Sequence, residues 1–512
     1  MKLLKAEPSS LLLSHNILPG SQRPSPSYTV ADLSQDSAQL LYAEVCQQDK
    51  SIAGLGSDLY CWTGDHWSVQ EETDNVRHAL EWLQINARKR TSIETARGCV
   101  DTAIGLINPL PPRPDPQTVL VPVTGAWLVL DDSGNWVAQE PQREVGVCHR
   151  IASGARIPFG RYEPKPVPPK SLFARFLNRS LPDVEVQTLV QDFIGYSLCG
   201  STAMQVAHLW VGGGNNGKSV LMNIVKKLHE RTAAMELDKL QGFAMTSVVG
   251  ASLVACDESP QRKINQQTLK SLITGGAVNI EPKYRNAYSY VPTAKWLINA
   301  NSIPNVRDHT DGWWRRFQII DWSVRIPEEE VIPDLDQKIL RTELDIVLDW
   351  ALIGLRRVAM RGFKKVSVLP EAVTRAHFNA MLQTNSVMSW KDECGISVQS
   401  DSYQDKGVLF ENYLEHCERI RTRPFAEPQF FARLIQLFPE INERKLYVGV
   451  GASRRRVRCV NLATGRFLDM SASGAQARQE PIAETGPNDE LDPFAEFVAQ
   501  ALAIPKISAI NI

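Results

Sequence analysis

The sequence predicts an α/β layered core with a helical region before it and a helix-helix-strand-turn-strand module after it. Three observations predict this. From His208 to Asp321 short apolar runs alternate with amphipathic helical patterns, the signature of strands layered with helices. A glycine-rich stretch, "GGGNNGKS", sits between one such strand and one such helix. At 512 residues the chain is too long for one ordinary core, so several domains are expected.

Taken in order, residues 1 to about 30 are rich in Ser and Pro and are expected to be disordered. A helical pattern runs from Ala31 to about Gln47, and "LYCWTGDHWSV" predicts a hairpin turning at Thr63-Gly64-Asp65. Two amphipathic helices follow near 72–88 and 92–107, then a Pro-rich linker, "NPLPPRPDPQ", closing an N-terminal α+β domain over 1–118. Residues 119–200 begin β-rich, with a turn at Asp132-Ser133-Gly134. They pass a second proline cluster, "PFGRYEPKPVPPKS", read as a junction, and end in helices over 171–179 and 183–199. The layered domain spans 201–345. A helical extension over 346–400 continues "LDQKILRTELDIVLDWALIGLRRVAM", one or two helices packing behind the sheet. Residues 401–466 give two helices and then "KLYVGVGASRRRVRCVNLA", a winged-helix-like pattern. Residues 467–512 form an acidic tail of small residues, expected to be disordered.

Lys plus Arg (56) nearly balances Asp plus Glu (57), so nucleic-acid binding has to come from local patches rather than a global field. Nine cysteines stand singly and read as reduced thiols of a cytosolic protein. The apolar run "SSLLLSHNILPG" is too short and interrupted for a signal peptide, and nothing approaches a membrane span, which points to the cytoplasm.

Gly212, Gly213, Gly214, Asn215, Asn216, Gly217, Lys218 and Ser219 fit G-x-x-x-x-G-K-S. Glycines let backbone N–H groups turn inward around phosphate oxygens, and the following helix adds its positive end. Lys218 suits the β- and γ-phosphates of ATP, and the Ser219 hydroxyl suits Mg²⁺. A bare Gly-rich turn is the competing reading. It is disfavoured because the stretch lies between the strand His208–Val211 and an amphipathic helix bearing Val220, Leu221, Ile224, Val225 and Leu228.

Downstream, "SLVACDES" ends a buried strand in Asp257, suited to hold Mg²⁺ through water, and Glu258, suited to activate the attacking water. An acidic strand end that caps the next helix is the plainer alternative. "TAKWLINANSIPNV" puts Leu297, Asn299 and Asn301 on one face, with Asn301 at the strand end, where it either meets the γ-phosphate or forms an Asx-turn before Pro304. "DGWWRRFQII" offers Arg315 and Arg316, permanent cations that stabilise phosphoryl transfer or else stack on Trp313 and Trp314 at the surface.

The set "GGGNNGKS", "VACDES", "LITGGAVNIEPKYRNAYSY", "ANSIPNV" and "DGWWRRF", in that order, resembles the superfamily 3 helicases of the phage, plasmid and poxvirus primase-helicase type, which are AAA+ P-loop ATPases. The resemblance runs from about Val119 to Arg357. It implies Walker A at Lys218 and Ser219, Walker B at Asp257 and Glu258, and a sensor at Asn301. It also implies an arginine finger at Arg316, with Arg315 second, and a DNA-gripping loop at Lys283. It further implies a homohexamer with ATP between subunits, translocating on single-stranded and forked DNA in a prokaryotic cytosol or phage-infected cell.

One departure is clear. The first 120 residues offer only isolated acids such as Asp58 and Asp65, and Asp334 and Asp336 of "PDLDQK" read as solvated helix surface. Primase activity is therefore expected to reside in a separate partner. Two further patches suit DNA. In "EPKYRNAYSY", Lys283 and Arg285 alternate with Tyr284, Tyr288 and Tyr290, aromatics equally suited to base stacking or to a core. Arg454, Arg456 and Arg458 share one strand face, either a phosphate-binding strip or a charged edge against aggregation. Rival readings are an initiator that melts an origin without processive unwinding, a non-hydrolysing DNA-binding scaffold, and a small-molecule P-loop kinase.

Overall fold

The computed structural model describes residues 34–257, 264–283, 285–304, 311–400, 402–448 and 455–463. The chain divides into two compact units, with the boundary between Asn385 and Ser386 rather than near residue 400.

The first unit opens with α1 (Gln35–Gln48), whose first turn is capped by the Ser34 hydroxyl. A three-stranded antiparallel sheet follows, β1 (Ile52–Leu55), β2 (Asp58–Trp62) and β3 (Trp67–Val69), then α2 (Glu72–Asn86) and α3 (Ile93–Leu106). Fully buried Ala38, Ala43, Ala79, Ala96 and Ala103 let the three helices approach closely. Residues 108–117, expected as a linker, are pinned to the sheet. Gly54 N donates to Asn108 O (2.9 Å), and Leu110 N donates to Gly54 O (2.8 Å).

A four-stranded antiparallel sheet comes next: β4 (Leu120–Val123), β5 (Ala126–Leu130), β6 (Trp136–Gln139) and β7 (Gly160–Tyr162). The second proline cluster thus supplies an edge strand as well as a junction. Proline is tolerated beside such a strand because only one of its edges is hydrogen-bonded. Helices α4 (Leu172–Ser180) and α5 (Val184–Ser197) lead into the layered core.

That core runs β8 (Ala207–Val211), α6 (Lys218–Leu228), β9 (Thr232–Ala234), β10 (Leu253–Asp257), α7 (Gln266–Ile273), the hairpin β11 (Val278–Ile280) and β12 (Tyr288–Tyr290), β13 (Lys295–Ala300), α8 (Asp311–Trp314) and β14 (Phe317–Asp321). Five strands form one parallel sheet in the order β14-β8-β13-β10-β9. Strand β8 is interior, with β14 on one side and β13 on the other. The chain leaves it toward the far edge and returns on the opposite side, so a topological switch point lies at its carboxyl end. Strands β8, β10, β13 and β14 are buried on both faces, as a sheet covered by helices requires, and open at their last residues or, in β13, one residue earlier at Asn299. Alternate residues divide between two cores. Trp210, Ala255 and Leu297 join Leu221 and Ile224 of α6, whereas Leu209, Cys256 and Ile298 face the other way.

Behind the sheet lie α9 (Leu335–Thr342) and α10 (Leu344–Met360), broken at Glu343. The Glu343 carboxylate accepts from Leu172 N and Phe173 N, both at 2.8 Å, and so fastens the start of α4. Helices α5 and α10 cross where a Cβ on Gly354 would stand 2.3 Å from Gln191 O, so only glycine permits that approach. Helix α11 (Glu371–Thr384) closes the unit.

The second unit comprises α12 (Ser386–Cys394), β15 (Ser397–Val398), β16 (Gln404–Asp405), α13 (Lys406–Arg419), α14 (Glu427–Leu437), β17 (Glu443–Val448), β18 (Arg455–Val460) and β19 (Leu462–Ala463). Trp390 of α12 packs edge-on against Tyr413 and Phe430, which explains why that helix belongs here. All nine cysteines are free thiols, eight of them buried. Among the described residues no helix is long and apolar enough to cross a membrane.

Candidate functional site at the carboxyl ends of the parallel strands

The glycine-rich stretch connects β8 to α6 with left-handed backbone at Gly214 (φ 69°), Asn215 (φ 48°) and Gly217 (φ 87°). Asparagine is among the few side chains that accept this region, and Asn215 O is held by Ile326 N at 2.7 Å. A Cβ on Gly217 would stand 2.4 Å from Ser180 Oγ and 2.9 Å from Phe176, so α4 lies directly on the loop. At Gly213 and Gly214 a Cβ would meet nothing within 4 Å, which leaves one wall open. The cap residue Gly217 offers no side chain, Lys218 N donates to Asn216 Oδ1 at 3.4 Å, and the positive end of α6 borders the cavity through Ser219 and Val220.

Asn216 and Lys218 form the buried floor, both 4% exposed. Asn216 Nδ2 donates to Trp322 O at 3.1 Å. Lys218 Nζ folds back to donate to Gly212 O at 2.5 Å and to Asn216 Oδ1 at 3.3 Å. Burial lowers the Lys218 pKa, and Asp321 at the end of β14 offsets part of that.

The loop borders a cavity of about 560 Å³. Lys218, Ser219 and Val220 form one side, Asn299 and Asn301 another, and Arg175, Phe176, Arg179 and Ser180 of α4 a third. Ile326, Val331, Ile332 and Leu335 add an apolar wall opposite Phe176. Among the described residues that line it, Lys218, Arg175 and Arg179 face one carboxylate, Glu330, which pairs with Arg179 at 2.6 Å. Positive charge beside apolar walls suits a ligand with an anionic tail and a flat apolar body.

Asp257 ends β10 in register with Asn299, exposed and 3.4 Å from Lys226 Nζ. It does not line the cavity. It projects on the α6 face, because Leu253 and Ala255 do so at period two. Glu258 lies outside the described residues. Asn301 is exposed at the cavity margin. Alternation puts Asn299 on the same face. Its Oδ1 is buried and has no hydrogen-bond partner among the described residues. Arg175 and Arg179 carried no sequence signal, since only the approach of α4 at Gly217 brings them in.

Arg316 lies at the amino end of β14, where its main-chain oxygen accepts from Ala207 N and its guanidinium donates to Gly312 O. The loop begins at the carboxyl end of β8, the neighbour of β14 in parallel register. A five-residue strand at about 3.3 Å per residue puts roughly 16 Å between them. Arg316 therefore does not join the cavity of its own chain.

Lys283 is exposed in the loop of the β11–β12 hairpin. Arg285 has a different role from the one expected. Its Nη1 donates to Ser57 O at 2.6 Å, and Nη2 is 3.9 Å from Glu72, tying the hairpin to the N-terminal sheet. Tyr288 and Tyr290 likewise pack into the core. Tyr290 is buried with its hydroxyl accepting from Gly250 N at 3.0 Å, and Tyr288 bonds to Asp58 and packs on Gly56. Tyr284 and Arg454 lie outside the described residues.

In the second unit, Arg456 and Arg458 are exposed on β18 opposite Tyr447 and Lys445. Glu443 stands 3.7 Å from Arg458 Nε, so the strip is cationic but not unopposed.

A family model described as a family of unknown function (DUF5906) matches residues 210–316, from the end of β8 to the residue before β14. The chain is 25% identical over 185 residues to "Putative helicase 121R" of Invertebrate iridescent virus 3, covering 32% of this chain and 19% of that one. It is 24% identical over 157 residues to "Putative helicase L207/L206" of Acanthamoeba polyphaga mimivirus, covering 28% and 16%. The chain thus spans less than a fifth of either relative's length. Among solved structures, "The A form apo structure of NrS-1 C terminal region-CTR" aligns with a TM-score of 0.47 and 13% identity, over 83% of this chain and 99% of that one.

Proposed function

We propose that this chain is an ATP-dependent DNA helicase of superfamily 3 with an AAA+ core, working as a homohexameric ring in the replication of a phage, plasmid or other mobile element. One observation carries the reading. A buried lysine and the amino end of α6 border a cavity of about 560 Å³ at the topological switch point of a parallel sheet. The likeness to viral helicases over part of the chain supports it.

The donors on hand fit Mg²⁺-ATP. Ser219 offers a hydroxyl and Asp257 a carboxylate, both hard donors suited to a hydrated Mg²⁺. When bound, that ion neutralises phosphate charge. Lys218 exchanges Gly212 O and Asn216 Oδ1 for β- and γ-phosphate oxygens, and the first N–H groups of α6 hold the β-phosphate. Glu258 takes the proton of the attacking water, and Asn301 contacts the γ-phosphate. Arg316, too far from its own loop, stabilises the transferring phosphoryl group in a neighbouring subunit. Lys283 grips single-stranded DNA. Arg456 and Arg458, with Arg454, bind phosphates of the fork from a winged-helix-like module in the second unit. A separate primase supplies primers.

The test is unwinding of a forked duplex alongside DNA-stimulated ATP turnover, with Lys218→Ala as control. Strand separation that vanishes in Lys218→Ala is the expected result. Turnover without separation favours the origin-melting initiator. Nucleotide-dependent assembly without turnover favours the scaffold.

A further inference from the structure

We infer that Asn299 is a second positioning amide of the phosphate site, its side-chain oxygen accepting a hydrogen bond from a water that enters with the nucleotide. This rests on the nucleotide reading above and goes beyond it, since the strand-end asparagine there is Asn301.

The inference starts from an unsatisfied atom. Asn299 lies one residue before the end of β13, and its Oδ1 is buried without a donor among the described residues while the residue lines the cavity. An unmet buried amide oxygen is destabilising, and here a ligand entering the cavity can supply the missing donor. The surroundings narrow the donor. Asn299 is the in-register neighbour of Asp257 on β10, and both project on the face covered by α6. Trp210, its register partner on β8, is fully buried and its ring Nε1 donates to His208 Nδ1 at 3.3 Å, so it is not the donor. Lys218 already donates to Gly212 O and Asn216 Oδ1. A water held between the Asp257 carboxylate and the terminal phosphoryl group remains. Asn299 acts through that water by orienting it, and Asn301, exposed at the margin, is left to the phosphate itself.

The role makes a paired expectation that packing alone does not. Asn299→Leu removes an acceptor that has no partner, so the nucleotide-free protein melts at or above the wild-type temperature. Turnover falls at least ten-fold in kcat, while KM and the Kd of a non-hydrolysable ATP analogue change by less than about three-fold. Asn299→Thr, which fits a strand and keeps an oxygen acceptor, recovers part of kcat and serves if the leucine variant does not fold. The assays are thermal melting with and without the analogue and steady-state turnover, on the full-length chain. A melting point several degrees lower in both variants without nucleotide marks a structural amide and overturns the inference. So does wild-type kcat in Asn299→Leu. If the analogue fails to raise the melting point of the wild-type chain, the nucleotide reading itself falls, a result distinct from either of those.

Discussion

The two ends of the parallel sheet are built from the same strands and are chemically opposite. At the carboxyl ends, Lys218, Ser219, Asn299, Asn301, Asp257 and Asp321 collect around an open loop, and one amide oxygen lacks a partner. At the amino ends the cations Lys295 and Arg316 are tied to carbonyls of their own chain. Lys295, 3% exposed, donates to Cys199 O at 2.6 Å and Thr293 O at 2.7 Å, beneath the ring of Tyr196. Arg316 is tied to Gly312 O. One end presents polar groups to a cavity and the other holds the fold. The difference bears on the proposed role of Arg316. It does not reach the open end of its own sheet, so in the proposed ring it would serve the open end of another copy.

The comparison breaks most visibly at Lys218. Lys218→Ala is expected to reduce ATP turnover by a factor of about 100 to 1000, the usual loss when one preorganised charge is removed from developing negative charge. Steady-state phosphate release measures it, and a loss below ten-fold removes the loop from the reaction. Arg316→Ala is expected to lose about 1000-fold in turnover, as for a finger acting in trans, with analogue affinity unchanged within about three-fold. A parallel fall in affinity would place Arg316 in ground-state binding instead.

Within the loop, Gly217→Ala sets a side chain at φ 87° against Ser180 and Phe176, and Gly213→Ala points one into open space. The first is expected to cost about 1–3 kcal/mol in urea unfolding and the second under about 0.5 kcal/mol. Equal costs would mean that α4 does not press on the loop.

The smallest effect belongs to the amino end. Burial pushes Lys295 down to about 8 from an ordinary 10.5, so the folded state binds fewer protons than the unfolded state between those values. Stability relative to Lys295→Met is therefore expected to rise from pH 8 to 10.5, as the cost of burying the charge is relieved. A flat or falling difference would show an ammonium fully satisfied by its two carbonyls.

Much of the open end was legible because sterics dictate its residues. Glycine is required at 217 and asparagine is tolerated at 215, so spacing alone announces the loop. Alternation put Asn299 and Asn301 on one face, but which amide is buried depends on packing that alternation does not encode. Other features are set by partners distant in sequence. Arg285 and Tyr288 resemble a nucleic-acid patch until Ser57, Asp58 and Glu72 take them up. Strand β7 is masked by flanking prolines that obscure a period of two, and α12 joins the second unit through contacts distant in sequence, such as Trp390 on Tyr413 and Phe430.

The proposed sharing of a reaction centre between subunits is tested most directly by co-expressing Lys218→Ala and Arg316→Ala chains and measuring ATP turnover of the co-purified assembly. Each variant alone is expected to be nearly inert. Mixed assemblies pair an intact loop with an intact arginine at some interfaces and should recover a substantial fraction of wild-type turnover. A co-purified assembly as inert as its separate parents, or an Arg316→Ala protein that turns over at the wild-type rate by itself, would contradict the account.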